Sequence, residues 1–512
     1  MTNKTAATPP TQAPVSDRAS EPHRTIELDR ATEPDRAQNL GRTSERDRAQ
    51  NLNRSAELDE GPGRDRAFMA RALELAERGL YTTDPNPRVG CVLVRKDRIV
   101  GEGWHVRAGE PHAEVIALRS AGAEARGATA YVTLEPCSHT GRTPPCADAL
   151  IAAGVSRVVC ATIDPNPQVA GGGIARLEAA GIPVSVGALT PEARALNVGF
   201  FSRFERGRPF IRLKLAMSLD ARTTAAAGGQ HWITGEASRA DVQTWRARSS
   251  AVLTGAGTVR IDDPRLDVRL AYGPWIRQPL RVVLDSELSC KPSSRVFADG
   301  HALVFAADDA VAESPPAVRP HAEAEPSPAV QPSPATKSHA AGEPRLAAQP
   351  YAAAATNAAA ATSAAAKPHG APQATDHRIN LIRVARSARG LDLHAVLDRL
   401  TSLEVNELLV ECGPRLAAAF LEAGLVDELI LYVAPFFLGA DAAPLADLRG
   451  LGAPGAPDVA GSAREPGSPS NPSLPGTPAM NLLGTGALSS FEFRDQRLLQ
   501  NDLRLVLTPK RA

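Results

Sequence analysis

Apolar residues recur along this chain at two spacings, and the switches between them predict a succession of helices and strands. From Arg64, RDRAFMARALELAERG sets Phe68, Ala72, Leu75 and Ala76 on one helical face and stops at Gly79. CVLVRKDRIVGEGWH then alternates with a period of two on either side of Lys96 and Asp97, which predicts a hairpin. PHAEVIALRSAG predicts a helix with His112 and Glu114 in its first turn, and ATAYVTLEP a strand. ADALIAAG (helix), VSRVVCATI (strand), GGGIARLEAAG (helix) and IPVSVGAL (short strand) follow. Such βαβα alternation implies a sheet covered by helices.

A second α/β unit opens with FERGRPFIRLKLAMSLDARTT. Its predicted strands are RPFIRLKLAMS, SAVLTGAG, LRVVLDS, HALVFA, INLIRVA, NELLVECG, LVDELILYVAP and LRLVLTP. Helices are predicted at ASRADVQTWRARS, LDLHAVLDRLTSL and PRLAAAFLEAG. Three stretches carry neither spacing. Residues 1–62 repeat DRAQNL, at Asp35 and Asp47, without an apolar seam. Residues 307–377 and 452–480 are almost wholly small or polar and rich in Ala, Pro and Ser. Segments of this kind bury too little to offset their ordering entropy. The expected plan is a disordered tail (1–62), one domain over 63–205, and another over 206–512 with low-complexity insertions at 307–377 and 452–480.

Composition narrows the function classes. The 57 basic and 57 acidic residues cancel, so a strongly basic nucleic-acid binder is not indicated. The longest apolar run, LILYVAPFFLGA, is broken by Pro435 and falls short of the roughly 20 residues that cross a bilayer. The N-terminus lacks the apolar core of a secretory signal. Six cysteines are too sparse for a disulfide scaffold. A soluble, cytoplasmic protein is expected.

Against that sparseness, TLEPCSHTGRTPPC holds Cys137 and Cys146 a short way after PHAE. One imidazole and two thiolates make three protein ligands for a catalytic zinc, which leaves a position for water and lowers its pKa. A carboxylate that is not a ligand can move that water's proton to a leaving amine. His112 and Glu114, two apart at a helix start, suit the two tasks. H-x-E followed by P-C and a second Cys marks zinc nucleobase deaminases. The commoner spacing is P-C-x-x-C; here SHTGRTPP separates the cysteines. Two buried cysteines with an exposed capping Glu are the plain alternative. His139, inside the loop, reads as a fourth ligand, a substrate contact or a simple loop histidine. In the second unit no G-x-G-x-x-G follows a strand. CGPRLAAAF puts Gly413 between a strand and a helix, where backbone N–H groups could hold a pyrophosphate or merely cap.

The motifs PNPRVGCVLV, GEPHAEVIAL, TAYVTLEPCSHTGRTPPCADALIAAGV and DPNPQVAGGG resemble those of the bifunctional deaminase–reductases of riboflavin biosynthesis. The long cysteine spacing is that family's own form. The resemblance continues through KLAMSLDARTTA, WITGEASRADVQTWRARSSAVLTGAGTVRIDDPRL, RVVLDS, ECGPRLAAAFLEAGLVDELILYVAP and the C-terminal strand, skipping the three low-complexity stretches. It implies an α/β protein: a three-layer cytidine-deaminase-like domain, then a dihydrofolate-reductase-like domain. By the same resemblance, His112, Cys137 and Cys146 bind Zn2+, Glu114 shuttles the proton, and Asn86 and His139 contact the base, although an Asn in Asn86's place would serve equally to cap a turn. NADPH would lie against Ala216, Trp232, Thr258, Asp262, Ser286, Gly413, Pro414, Arg415, Leu416, Ala417, Ala418 and Ala419. Substrate would touch Gln230 (often Ser in the family), Arg246, Leu266, Arg269 and Glu411. Guanidinium forks at Arg246 and Arg269 suit the substrate's phosphate, although structural ion pairs would use the same residue type.

The implied partner is a small phosphorylated pyrimidine, with neither nucleic acid nor membrane, and homo-oligomerisation is left open. A nucleic-acid or free-base deaminase with an inactive accessory domain is the alternative. Strand editing needs a basic channel, which a neutral composition does not suggest. A binding protein with decayed sites would not be expected to keep all three ligands and Glu114. The preference for NADPH over NADH rests on the resemblance, since no basic fork stands out for the extra phosphate.

Overall fold

The computed structural model describes residues 62–139, 144–224, 232–270, 276–311, 318–320, 379–448 and 491–510. The described residues belong to one compact unit containing two main sheets. The expected tail before Pro62, the second insertion and nearly all of the first lie outside the described residues.

The first half runs α1 (Pro62–Glu77), β1 (Gly90–Arg95), β2 (Arg98–Trp104), α2 (Ala113–Ala121), β3 (Thr129–Val132), α3 (Cys146–Ala153) and β4 (Arg157–Cys160). It continues through α4 (Gly172–Ala179), β5 (Val184–Val186), α5 (Thr190–Leu196) and α6 (Val198–Arg206). The sheet order is β2-β1-β3-β4-β5, antiparallel through β2, β1 and β3 and parallel from β3 to β5. Lys96 and Asp97 both take positive φ (49° and 60°), the tight primed turn whose twist matches its flanking strands. Period-two patterning then sorts the side chains. Cys91, Leu93, Val132, Val158 and Cys160 pack with Ala117 of α2, Leu150 of α3 and Leu177 of α4. The intervening Val92, Val94, Tyr131 and Val159 pack with Met69 and Leu75 of α1 and Ala193 of α5. Three layers result, as expected. α2 lies so close to β2 that a Cβ on Gly103 would sit 2.3 Å from the Ala113 carbonyl oxygen.

The second half contains β6 (Phe210–Ser218), β7 (Arg222–Thr224), α7 (Glu236–Arg248), β8 (Ala251–Gly255), α8 (Ala256–Asp262), β9 (Leu280–Leu284), β10 (Ala302–Ala307), β11 (Val318–Pro320) and β12 (Ile379–Val384). After these come β13 (Arg386–Ser387), β14 (Gly390–Leu391), α9 (Leu393–Ser402), β15 (Glu407–Glu411), α10 (Pro414–Glu422), β16 (Glu428–Ala434), β17 (Ala443–Pro444), β18 (Phe491–Leu499) and β19 (Asp502–Pro509). The large sheet is ordered β11-β12-β10-β9-β8-β15-β6-β16-β19-β18. It is parallel from β11 to β16, and β19 and β18 close it antiparallel. α9 and α10 cover one face with Val396, Leu397, Leu400 and Phe420. On the other face Val242 of α7 and Val259 of α8 pack against Val252, Val283, Leu409 and Tyr432. The edge differs from the expected insertion boundary at 307: β10 runs to Ala307, Ala310 is buried in the same cluster, and β11 pairs with β12. Alanines small enough to pack against Val384 extend the strand into a stretch whose composition reads as unstructured.

A buried ionic knot joins the halves. Glu407, at the start of β15, takes Arg88 (2.5 Å), Arg212 and Arg248 (3.2 Å) on its two oxygens. Burial would raise this carboxyl, but the three guanidiniums hold it far below the usual carboxylate range. α6 approaches β15 at Gly199, where a Cβ would fall 2.6 Å from the Asn406 carbonyl oxygen.

Candidate active sites

His112 caps α2, Cys137 lies in the loop after β3, and Cys146 opens α3, so three separate elements deliver one donor each. His112 Nδ1 is 3.6 Å from Cys137 Sγ and 3.3 Å from Cys146 Sγ, and all donor atoms lie within 4.8 Å of one another. Bonds of zinc to nitrogen and sulfur give a tetrahedral edge of about 3.6 Å, so this donor set fits a three-ligand zinc site. Its electrostatics fit as well. Hydrogen bonding from Cys146, with burial opposing and His112 assisting, draws the Cys137 thiol well below the usual thiol range. The Cys146 thiol is pushed up in turn by Cys137 and by burial.

Glu114, two residues after His112 in the first turn of α2, is 3% exposed. Burial pushes its carboxyl up, and the His112 ring pulls against that. His105 stands edge-on to His112 with ring centroids 5.3 Å apart. Its Nδ1 is 3.2 Å from the Pro111 carbonyl oxygen, and its Nε2 is 3.0 Å from the Asn86 amide. Burial lowers its pKa. The neutral ring therefore donates from Nδ1 to Pro111 and accepts from Asn86. Glu135, two residues before Cys137, spends both oxygens on backbone N–H groups of Asp164, Gly171, Gly173 and Ile174. It thereby ties the cysteine loop to the start of α4, where an anion is favoured. His139 is exposed and stands apart from the donor cluster.

The second site is a cavity of about 1750 Å³ at the carboxyl ends of β6, β8, β9 and β15, where open parallel sheets bind their ligands. Ala216, Thr258, Asp262, Ser286, Gly413, Pro414, Arg415, Leu416 and Ala419 line it, with Trp232 exposed at its rim under Arg239. Ala417 and Ala418 are fully buried in the core on the inner face of α10. Arg246, Leu266, Arg269 and Glu411 line the same cavity. Gln230 lies outside the described residues. Both arginines are ion-paired: Arg246 forks onto Glu411 (2.6 and 2.9 Å) and Arg269 meets Asp267. Burial would raise Glu411, but Arg246 and Lys214 hold it down.

Sequence reasoning passed over three of these groups. Lys214 lines the cavity two residues before Ala216, with burial pushing its ammonium pKa down; strand alternation alone would place it beside Ala216 on one face. His105 carried no spacing signal. Arg260 lines the cavity and donates to Ser289 at 2.7 Å.

Fold and site together define a zinc-dependent deaminase joined to a reductase built on a doubly covered parallel sheet. Residues 62–162 match the cytidine and deoxycytidylate deaminase zinc-binding region, and residues 209–335 and 343–456 match the RibD C-terminal domain. The riboflavin biosynthesis protein RibD of Escherichia coli (strain K12) is 45% identical over 398 residues, covering 76% of this chain and 92% of that protein. Its Haemophilus influenzae counterpart is 41% identical over 77% of this chain and 91% of its own length. Among solved structures, Acinetobacter baumannii RibD superposes with a TM-score of 0.65 at 35% identity, over 88% of this chain and all of that one. A Thermotoga maritima diaminohydroxyphosphoribosylaminopyrimidine deaminase/5-amino-6-(5-phosphoribosylamino)uracil reductase gives 0.60 at 29% identity, over 88% and 99%. The chain belongs to the RibD family of riboflavin biosynthesis: it is a bifunctional deaminase and reductase that uses Zn2+ and NADPH.

Proposed function

We propose that His112, Cys137 and Cys146 hold the zinc ion of the deaminase and that Glu114 moves its protons. The enzyme hydrolytically deaminates a phosphoribosylated diaminopyrimidinone and then reduces the ribosyl group to ribityl with NADPH. Zinc, when bound, acidifies the attacking water. Glu114, buried and raised by that burial, takes the proton of this water and passes it to the departing amine. Asn86, oriented by His105, meets the pyrimidine edge. In the second cavity NADPH supplies the hydride, and the chain's task is to orient the two reactants. Gly413 and the following turn of α10 receive the pyrophosphate. Glu411, fixed by Arg246, faces the substrate, and Arg269 at the exposed rim receives its phosphate by leaving Asp267. Arg260 has no carboxylate ion partner among the described residues and lines the cavity with Ser286 and Ser289. That combination supports Arg260 as the cation for the adenosine phosphate of NADPH.

One observation carries the reading: three donors from three elements converge on one cluster, with the buried carboxylate of Glu114 beside it. Product analysis with and without NADPH tests it. Ammonia release without NADPH, and a ribityl product only on its addition, is the expected outcome; a zinc-loaded protein that releases no ammonia would overturn it. The same proposal places the domain boundary near residue 205, the enzyme in the cytoplasm, and no nucleic acid among its partners. Phe493 and Leu498, 68% and 71% exposed on the edge strand β18, support a homo-oligomer. Light scattering of the wild type and of Phe493→Ser checks that assembly.

A further inference from the structure

The loop that carries Asn86 runs Asp84-Pro85-Asn86-Pro87-Arg88, and its two prolines leave it few backbone donors of its own. Within the loop, one turn bond forms, from Asn86 N to the Thr83 carbonyl (2.9 Å). Its other polar groups are shared between the halves: His105 meets Asn86, and Asn197 and the Leu196 carbonyl meet Arg88, from the deaminase half, while the reductase half holds Asp84 and the Pro85 carbonyl. Ser250 Oγ donates to Asp84 Oδ1 at 2.6 Å. Asn406 Nδ2 donates to Asp84 Oδ1 at 3.2 Å and to the Pro85 carbonyl at 2.7 Å. Arg277 lies 2.8 Å from Asp84 Oδ2, and Arg88 reaches Glu407 and the Arg248 carbonyl. Ser250 is itself locked, accepting from the backbone N–H groups of Asn406 and Glu407.

We propose that Ser250 and Asn406, both on the reductase half, are positioning residues for the deaminase: they set the loop that holds Asn86 against the pyrimidine. The inference rests on the reading of Asn86 as a base contact. It says that the deaminase substrate pocket is completed by the other domain, which is a physical reason for the two activities to share one chain. The geometry also supplies an internal control. Ser250 and Asn406 immediately precede β8 and β15, whereas the reductase cavity lies at the carboxyl ends of those strands. A five-residue strand spans about 17 Å, and none of Ser250, Asn406 and Arg277 lines the cavity.

The test is steady-state kinetics of both half-reactions on full-length Asn406→Ala, with zinc content measured alongside. The expected result is a roughly ten-fold fall in deaminase kcat/KM carried mainly by KM. Zinc content, and reductase kcat/KM on the deaminated intermediate, should stay at wild-type values. Unchanged deaminase kcat/KM, or an equal fall in both activities, overturns the proposal. Should Asn406→Ala lose zinc or melt early, Arg277→Gln, at a half-buried position, decides by the same criteria with a smaller expected KM rise of about three-fold. Asn86→Ala is run in parallel. If Asn86→Ala leaves deamination intact, the base-contact reading has failed; if it impairs deamination while the Asn406 and Arg277 variants do not, the positioning inference alone has failed.

Discussion

Glu114 combines near-complete burial with a place beside, rather than among, the three clustered donor side chains, and one substitution separates those properties. Glu114→Gln keeps shape and burial but cannot carry a proton, so deamination should fall by about 10²–10⁴. Zinc content and NADPH oxidation on the deaminated intermediate should be unchanged. Zinc loss would make the carboxylate a ligand instead. Arg260→Gln should raise KM for NADPH about ten-fold and leave KM for NADH nearly unmoved, since only the phosphate meets the guanidinium; equal shifts for both cofactors would remove Arg260 from that role. The gathering of His112, Cys137 and Cys146 into one donor cluster could be anticipated from the chain, because metal chemistry restricts residue type and the three lie close in sequence. Ser250 and Asn406 could not, because their neighbours are set by strand pairing between segments far apart in the chain.

Among elements, the hairpin and the helices with full apolar stripes were legible, and each predicted strand appears in the two sheets. The unpredicted ones have physical reasons. β18 is an edge strand with most of its side chains exposed, so it carries no burial pattern to read. α5 and α8 span seven residues each, too short for a clear 3.6 period. Contact between elements was equally hidden, as at Gly103. A methyl there would press on the Ala113 carbonyl and, 2.5 Å away, the Ala117 nitrogen, so α2 must shift. Gly103→Ala should cost about 1–3 kcal/mol and, because α2 begins beside His112 and holds Glu114, should lower zinc affinity too. Thermal melts with zinc titration check both; a lowered melting temperature with intact zinc affinity would mean that α2 moves as a unit with its ligand.

Across the whole molecule, one buried carboxylate carries much of the junction between the halves. Glu407→Gln leaves three guanidiniums around a neutral amide and should destabilise the protein by about 3–5 kcal/mol at neutral pH. Because the folded pKa of Glu407 is depressed, its contribution is full above the unfolded value of about 4.3 and fades as pH falls toward the folded value. Denaturant melts should therefore show the gap between wild type and variant narrowing from pH 7 to pH 3. The outer edge of the large sheet should be far more tolerant. β10, β11 and β12 form that edge, and no described residue from 302 to 384 lines the cavity. Residues 321–377 belong to the connection between β11 and β12, two adjacent parallel strands. Their replacement by a short Gly-Ser linker lowers loop-closure entropy only slowly with length. The shortened chain should keep reductase kcat/KM within about two-fold, provided that Ala307, Ala310 and Val318–Pro320 are retained, since they pack or pair at that edge. A collapse of NADPH turnover with an unchanged melting temperature would give the insertion a part in the reductase cavity.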